Sequence, residues 1–144
     1  FPLNQETNFK INKFFRTITK DIKKIKKILN VKGRVFEIKN YYEGISRFDF
    51  KELCDQNLGA EDYIEITKVS DFIVIENIPQ FNDINLNQQL RFITLLDVIY
   101  DKNVPIAVTA NENLDKFTSS KSLEKQFKRT TSRLYELTSK NHKP

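Results

Sequence analysis

Glycine is scarce in this chain. Only Gly33, Gly44 and Gly59 occur in 144 residues, and none is followed by Lys and then Ser or Thr. A phosphate-binding loop needs glycine-rich backbone turned around the phosphates and a lysine to reach them, so these residues alone do not build one. Histidine and cysteine occur once each, as His142 and Cys54. One cysteine excludes an internal disulfide, and a lone His in the terminal tail argues against a zinc cluster or a Cys–His nucleophile. No apolar run approaches the ~20 residues of a spanning helix, and the amino terminus lacks the charged start, apolar centre and small-residue cleavage site of a signal peptide. Methionine is absent even from the first position, where the chain reads Phe1-Pro2-Leu3. We therefore expect an excised fragment, a processed form or the ordered part of something longer.

What is present suits a folded domain. Hydrophobic residues make up 39% of the chain and prolines number four, a composition that supports one core without disulfides or structural metal. Residues 1–144 are read as one domain. The lone Cys54 is expected to pack as a small hydrophobe, in keeping with a reducing compartment. The net charge of +5 opens the question of nucleic acid or an anionic surface as partner. Lys20, Lys23, Lys24, Lys26 and Lys27 crowd one stretch, and Lys/Arg outnumber acids again from Lys121 onward. Lysines without interleaved aromatics favour a solvated helix face over nucleic acid, with a functional basic patch as the alternative.

Apolar residues from Ile11 through Phe14, Ile18, Ile22, Ile25 and Leu29 recur at helical spacing, predicting a long amphipathic helix over about 6–29. Arg34 to Lys39 and Ile45 to Phe50 alternate in character, predicting a hairpin with a loop of about five residues. Two short helices with a joint at Gly59 follow. The run Phe72-Ile73-Val74-Ile75 predicts a buried strand, Leu86 to Asp101 a helix, and Val104 to Thr109 a second strand. Strand, crossover helix and strand imply a parallel βαβ unit. A final helix begins near Lys121. The expected class is α/β: a small mixed sheet, made of a hairpin and a parallel βαβ unit, flanked by a long amino-terminal helix and a carboxy-terminal helix.

Three blocks carry a more specific signal. Phe48-Asp49-Phe50-Lys51-Glu52-Leu53-Cys54 with Leu58-Gly59-Ala60-Glu61-Asp62-Tyr63, then Arg91 to Asp101, then Arg129-Thr130-Thr131-Ser132-Arg133-Leu134 resemble, in order and approximate spacing, the carboxy-terminal part of the ZapE-type cell-division ATPases and their mitochondrial relatives. The likeness extends back to Pro2-Leu3. Two departures stand out: Leu90-Arg91 where the family has two arginines, and Leu137 where it has methionine.

The resemblance implies a P-loop ATPase of the AAA-like class whose amino-terminal half binds ATP and magnesium, with the present residues forming the part that follows. No cofactor is expected in this portion. The implied partners are the P-loop half, a cell-division or membrane-protein quality-control partner, and further copies in a homo-oligomer. The implied compartment is the cytoplasm, with the mitochondrial matrix as the alternative.

Candidate chemistry centres on Arg129 and Arg133, four apart on the last helix. An arginine from outside the phosphate loop can stabilise charge on a transferred phosphoryl group, in its own subunit or a neighbour; a structural ion pair of these arginines with Glu136 or Asp97 is the competing reading. Glu76, at the end of an apolar strand, and Thr109-Ala110-Asn111 are similar to the magnesium and polar sensor positions of P-loop enzymes, yet no aspartate precedes Glu76. A plain strand-end carboxylate is the simpler role. Asp62, Asp97 and Asp101 are candidate cleft acids, with tethering of helix ends as the simpler role, and a freestanding enzyme would need Glu76, Asp97 and Arg133 in one pocket.

Overall fold

A computed structural model describes residues 12–14, 16–17, 19–20 and 22–140, the last two by their backbone alone. Five strands form one sheet in the order of the chain: β1 (Ile25–Val31), β2 (Arg34–Tyr42), β3 (Ile45–Asp49), β4 (Phe72–Ile78) and β5 (Ile106–Ala110). β2 pairs antiparallel with both β1 and β3, whereas β3, β4 and β5 are mutually parallel. Each parallel step needs a crossover. Helices α1 (Phe50–Cys54) and α2 (Ala60–Val69) make the first and α3 (Leu86–Lys102) the second. The final helix is α4 (Glu124–Lys140), reached through two single turns of tight helix, Leu114–Lys116 and Lys121–Leu123.

The sheet, the crossover helix and the final helix agree with the sequence reading, and the amino-terminal segment corrects it. Residues 12–14 and 16–17 are helical, but the helix expected to reach residue 29 does not, because Ile25–Val31 pairs as an edge strand with β2. Isoleucines at 22, 25 and 28 satisfy a helical period, while Leu29 and Val31 bury on alternate positions. Pairing settles the choice. β-branched side chains suit a strand, and Lys32-Gly33, both at positive φ (49° and 82°), turns the chain straight into β2. The lysines of this stretch therefore lie in and before a strand, not at a helix end.

The second hairpin is also tighter than expected. β2 continues to Tyr42, leaving the two-residue turn Glu43-Gly44 with φ of 46° and 94°, the geometry that matches strand twist in short hairpins. Gly44 is required there twice over. Its φ disfavours a side chain, and a Cβ would collide with the Asp71 carboxylate. Its carbonyl accepts from the Asp71 and Phe72 backbone N–H groups, at 2.6 and 3.2 Å, tying the hairpin to the start of β4.

The helices cover one face of the sheet. Phe48, Ile73, Ile75 and Ile106 point into that core together with Tyr63, Leu96 and Leu134. Register sends Arg47, Val74 and Glu76 to the opposite face. There Phe14 packs on Phe72 with ring centroids 6.0 Å apart, and Asn12 accepts a hydrogen bond from Arg47 at 2.9 Å, so residues 12–14 lie over the second face. Beyond the carboxyl ends of β3 and β4, Phe50, Phe81, Phe92 and Phe127 form an aromatic cluster with centroid separations of 5.4–6.5 Å, closed by an edge-on Phe81–Phe127 contact. Such pairs add about 0.5–1.5 kcal/mol each beyond area burial, and these join α1, α3 and α4.

Candidate functional site: the arginine helix

Leu123, Phe127, Thr130, Leu134 and Leu137, with Thr138 beside them, are buried positions of α4 and its lead-in. Their spacing of three or four residues makes one stripe, which faces the sheet and α3. The lead-in is fixed by a buried amide. Gln89 Oε1 accepts from the Ser120 backbone N–H at 3.1 Å and pairs with its hydroxyl at 2.9 Å, and Gln89 Nε2 donates to Ser119 Oγ at 2.7 Å. Gln80 does the same one turn earlier, accepting from Thr118 N and donating to the Lys116 carbonyl. A buried amide bonded at both its oxygen and its nitrogen favours a single geometry, and here it ties the lead-in of α4 to α3.

The two candidate arginines diverge. Arg133, half-buried, donates from Nη1 to Asp97 Oδ1 and lies over the Tyr100 ring, 4.8 Å from its centroid. Tyr100 in turn donates to Glu136 Oε2 at 2.9 Å. Of the two structural partners considered for Arg133, Asp97 is the one it takes. Arg129, one turn earlier, is exposed and makes no ion pair among the described residues. A rotation of 40° from a four-residue step is enough to part them: one reaches α3, the other solvent.

Asp97, Tyr100, Asp101, Lys102 and Arg133, with Ile64 of α2, line an open cleft of about 620 Å³. The sequence candidates Asp97, Asp101 and Arg133 thus come together. Asp62 does not join them: it is buried, accepting from Arg34 Nη2 and from the Gly59 N–H at 2.8 Å each, and so closes the start of α2. Glu76 does not join them either. It is engaged by both Arg47 Nε and Nη2 on the other face of the sheet, a strand-end carboxylate in an ion pair that the sequence alone did not reveal. The signal was available in retrospect, since parallel pairing of β3 with β4 sets Arg47 beside Val74 and one step from Glu76. No pocket unites Glu76, Asp97 and Arg133 among the described residues.

Thr109 has a different partner from that of a sensor. Its hydroxyl accepts from the Asn77 N–H at 2.9 Å, where the ladder between β4 and β5 breaks and Asn77 adopts a φ of 65°. Asn77 Nδ2 then donates to Asp49 Oδ1 at 2.5 Å, so the carboxyl ends of the three parallel strands are laced together. Arg91, the single arginine of the middle block, donates to the Cys54 carbonyl at 3.3 Å and satisfies the end of α1. Beneath it, burial pushes the Cys54 thiol and the Tyr63 phenol well above their ordinary ranges. Tyr63 donates to the Leu53 carbonyl at 2.6 Å. These groups are architectural.

None of the three glycines forms a phosphate cradle. Gly33 and Gly44 turn hairpins, and at the α2 start the Gly59 N–H is already taken by Asp62, placing a carboxylate where a phosphate would bind. Among the described residues no three His, Cys, Asp or Glu side chains gather as a metal site, and no helix is long and apolar enough to cross a membrane. His142 lies outside the described residues.

Comparison with known proteins accounts for the three ordered blocks. The chain is 38% identical over 90 residues to "Lactation elevated protein 1 homolog B" of Danio rerio, covering 62% of the chain and 18% of that protein. It is 23% identical over 141 residues to "Cell division protein ZapE" of Escherichia coli K12, covering 98% of the chain and 38% of that protein. The chain thus spans well under half the length of these relatives, and no solved structure matches it significantly. The model of the family described as AFG1-like ATPase matches residues 1–143. With that match over nearly its whole length, the chain belongs to the AFG1-like ATPases.

Proposed function

We propose that this chain is the carboxy-terminal portion of an AFG1/ZapE-type ATPase, and that ATP and magnesium are bound and hydrolysed by a P-loop portion outside these residues. The observation that carries this reading is the pair of arginines on α4, one held and one exposed. Arg133 is held by Asp97 and Tyr100, which orients the helix. Arg129 projects to solvent from that fixed helix, available to place a permanent, delocalised positive charge near a phosphoryl group supplied by the P-loop portion. Family membership and the lack of a glycine-rich loop followed by Lys and Ser or Thr in the sequence support the same division of labour. In a bacterial cell the setting would be division in the cytoplasm; in a mitochondrial relative, membrane-protein quality control in the matrix.

The test is ATP turnover by the full-length protein. Arg129→Ala is expected to lower kcat by about a thousandfold, the range of arginines that act on phosphoryl transfer, with folding unchanged. Arg133→Ala should lower both kcat and stability, because it loosens the helix. The isolated chain should show no turnover. Full activity in both variants would sink the proposal, as would hydrolysis by the chain alone.

A further inference from the structure

Charge is held very unevenly along this molecule. Residues 20–39 carry eight lysines and arginines against two acids, a surplus larger than the +5 of the whole chain, so the remainder is close to neutral. The fold concentrates that surplus in the β1–β2 hairpin and its lead-in, at the end of the sheet farthest from β5. Lys26 meets Glu37 at 3.8 Å and Lys32 meets Glu61 at 2.5 Å. Lys20, Lys23, Lys24 and Lys39 are exposed and make no ion pair among the described residues.

The same hairpin exposes aliphatic side chains. Ile28 is 57% exposed and Val35 68%. Register sets Ile28 opposite Glu37 and Asn30 opposite Val35, making Ile28 and Val35 diagonal neighbours on the face turned away from the helices. Ile25, at the strand start, is 47% exposed. The aromatic residues, by contrast, are committed elsewhere: Phe36 stacks on core Phe48 with centroids 6.4 Å apart, and Tyr41 donates to the Val69 carbonyl at 2.6 Å beneath Lys27. Single-stranded nucleic acid is gripped by cations together with exposed aromatic platforms. A bilayer surface is gripped by cations together with aliphatic groups that enter the headgroup boundary.

We propose that the β1–β2 hairpin docks this protein on an anionic lipid bilayer, with its lysines over the phosphate headgroups and Ile28 and Val35 entering the interface. This surface lies at the opposite end of the sheet from α4, so its test is independent of Arg129. The measurement is co-sedimentation of the chain with vesicles of phosphatidylcholine, with and without phosphatidylglycerol, and titration against duplex DNA in the same buffer.

Binding is expected only with phosphatidylglycerol and should weaken as salt rises. A lysine near such a surface contributes about fivefold in affinity, so the combined Lys23→Glu, Lys24→Glu and Lys26→Glu change should cost about a hundredfold or more. Ile28→Ser with Val35→Ser keeps every charge and should still weaken vesicle binding by about tenfold while leaving any DNA binding unchanged. Circular dichroism checks that both variants fold. No binding to phosphatidylglycerol vesicles overturns the proposal. Vesicle binding indifferent to the Ile28 and Val35 changes, with DNA binding at least as tight, also overturns it and identifies a nucleic-acid surface instead.

Discussion

The two edges of the sheet solve one physical problem in opposite ways. An edge strand offers unpaired N–H and C=O groups to any other strand. β1 is guarded by charge: Lys26 and Lys27 are part of the strand, Lys23 and Lys24 precede it, and most of its residues are exposed. β5 carries no charge at all, reading Ile-Ala-Val-Thr-Ala, with Ile106 and Ala110 fully buried. The first edge is kept open by repulsion and hydration. The second is mostly buried, and α4, tied down by the aromatic cluster, packs against it. Stability is therefore expected to reside at the β5 end, and tolerance to substitution at the β1 end.

The largest effect should come from Phe127→Ala. It removes the ring that joins α4 to Phe81, Phe92 and Phe117 and should cost about 3–5 kcal/mol in urea unfolding; a loss under about 1 kcal/mol would break the contrast between edges. Alkaline pH should act next, through the core the two ends share. Burial raises the Cys54 thiol and the Tyr63 phenol, so the unfolded chain loses these protons before the native one does. Their contribution is intact below the ordinary thiol range near about pH 8.5 and is lost progressively as pH rises above it. A urea midpoint that does not fall between about pH 8 and pH 10 would contradict this, and Cys54 should resist alkylation until the protein unfolds.

Smaller effects sharpen the comparison. Asp97→Ala frees Arg133, but the pair is partly exposed, with side chains 39% and 28% accessible, so about 0.5–1 kcal/mol is expected by urea titration. A loss of several kcal/mol would mean that the pair organises the core. At the open edge, Val35→Thr should shift stability by less than about 0.5 kcal/mol. A larger loss there would show that β1 is not the tolerant edge.

Much of this arrangement was legible in the residues. The βαβ unit was readable because β4 is a short apolar run bounded by Asn77 and Pro79, and α3 has an uninterrupted helical stripe. The strand at 25–31 was not, since isoleucine every third residue fits a helix as well as lysine-flanked alternation fits an edge strand, and only the pairing with β2 separates them. The Lys32-Gly33 turn was the overlooked local sign. Site residues were readable as types and not as partners. Arg129 and Arg133 share a helix, but whether an arginine meets Asp97 or water depends on how α4 is rotated against α3, and the buried Gln89 of α3 helps to fix that rotation by gripping Ser120. Arg47 and Glu76 are 29 residues apart and meet only because β3 and β4 are parallel.

That buried glutamine has a mechanical consequence. Gln89 near the start of α3 grips Ser120 ahead of α4, while Asp97 and Tyr100 farther along α3 grip Arg133 and Glu136 farther along α4. Contacts that advance together along both helices make them parallel and fasten them at two separated points. A bar pinned twice cannot pivot. A push delivered at Arg129, which lies between the pins, would move α3 and α4 as one rigid arm rather than swing the last helix alone, and α3, as the crossover between β4 and β5, would carry that displacement to the sheet.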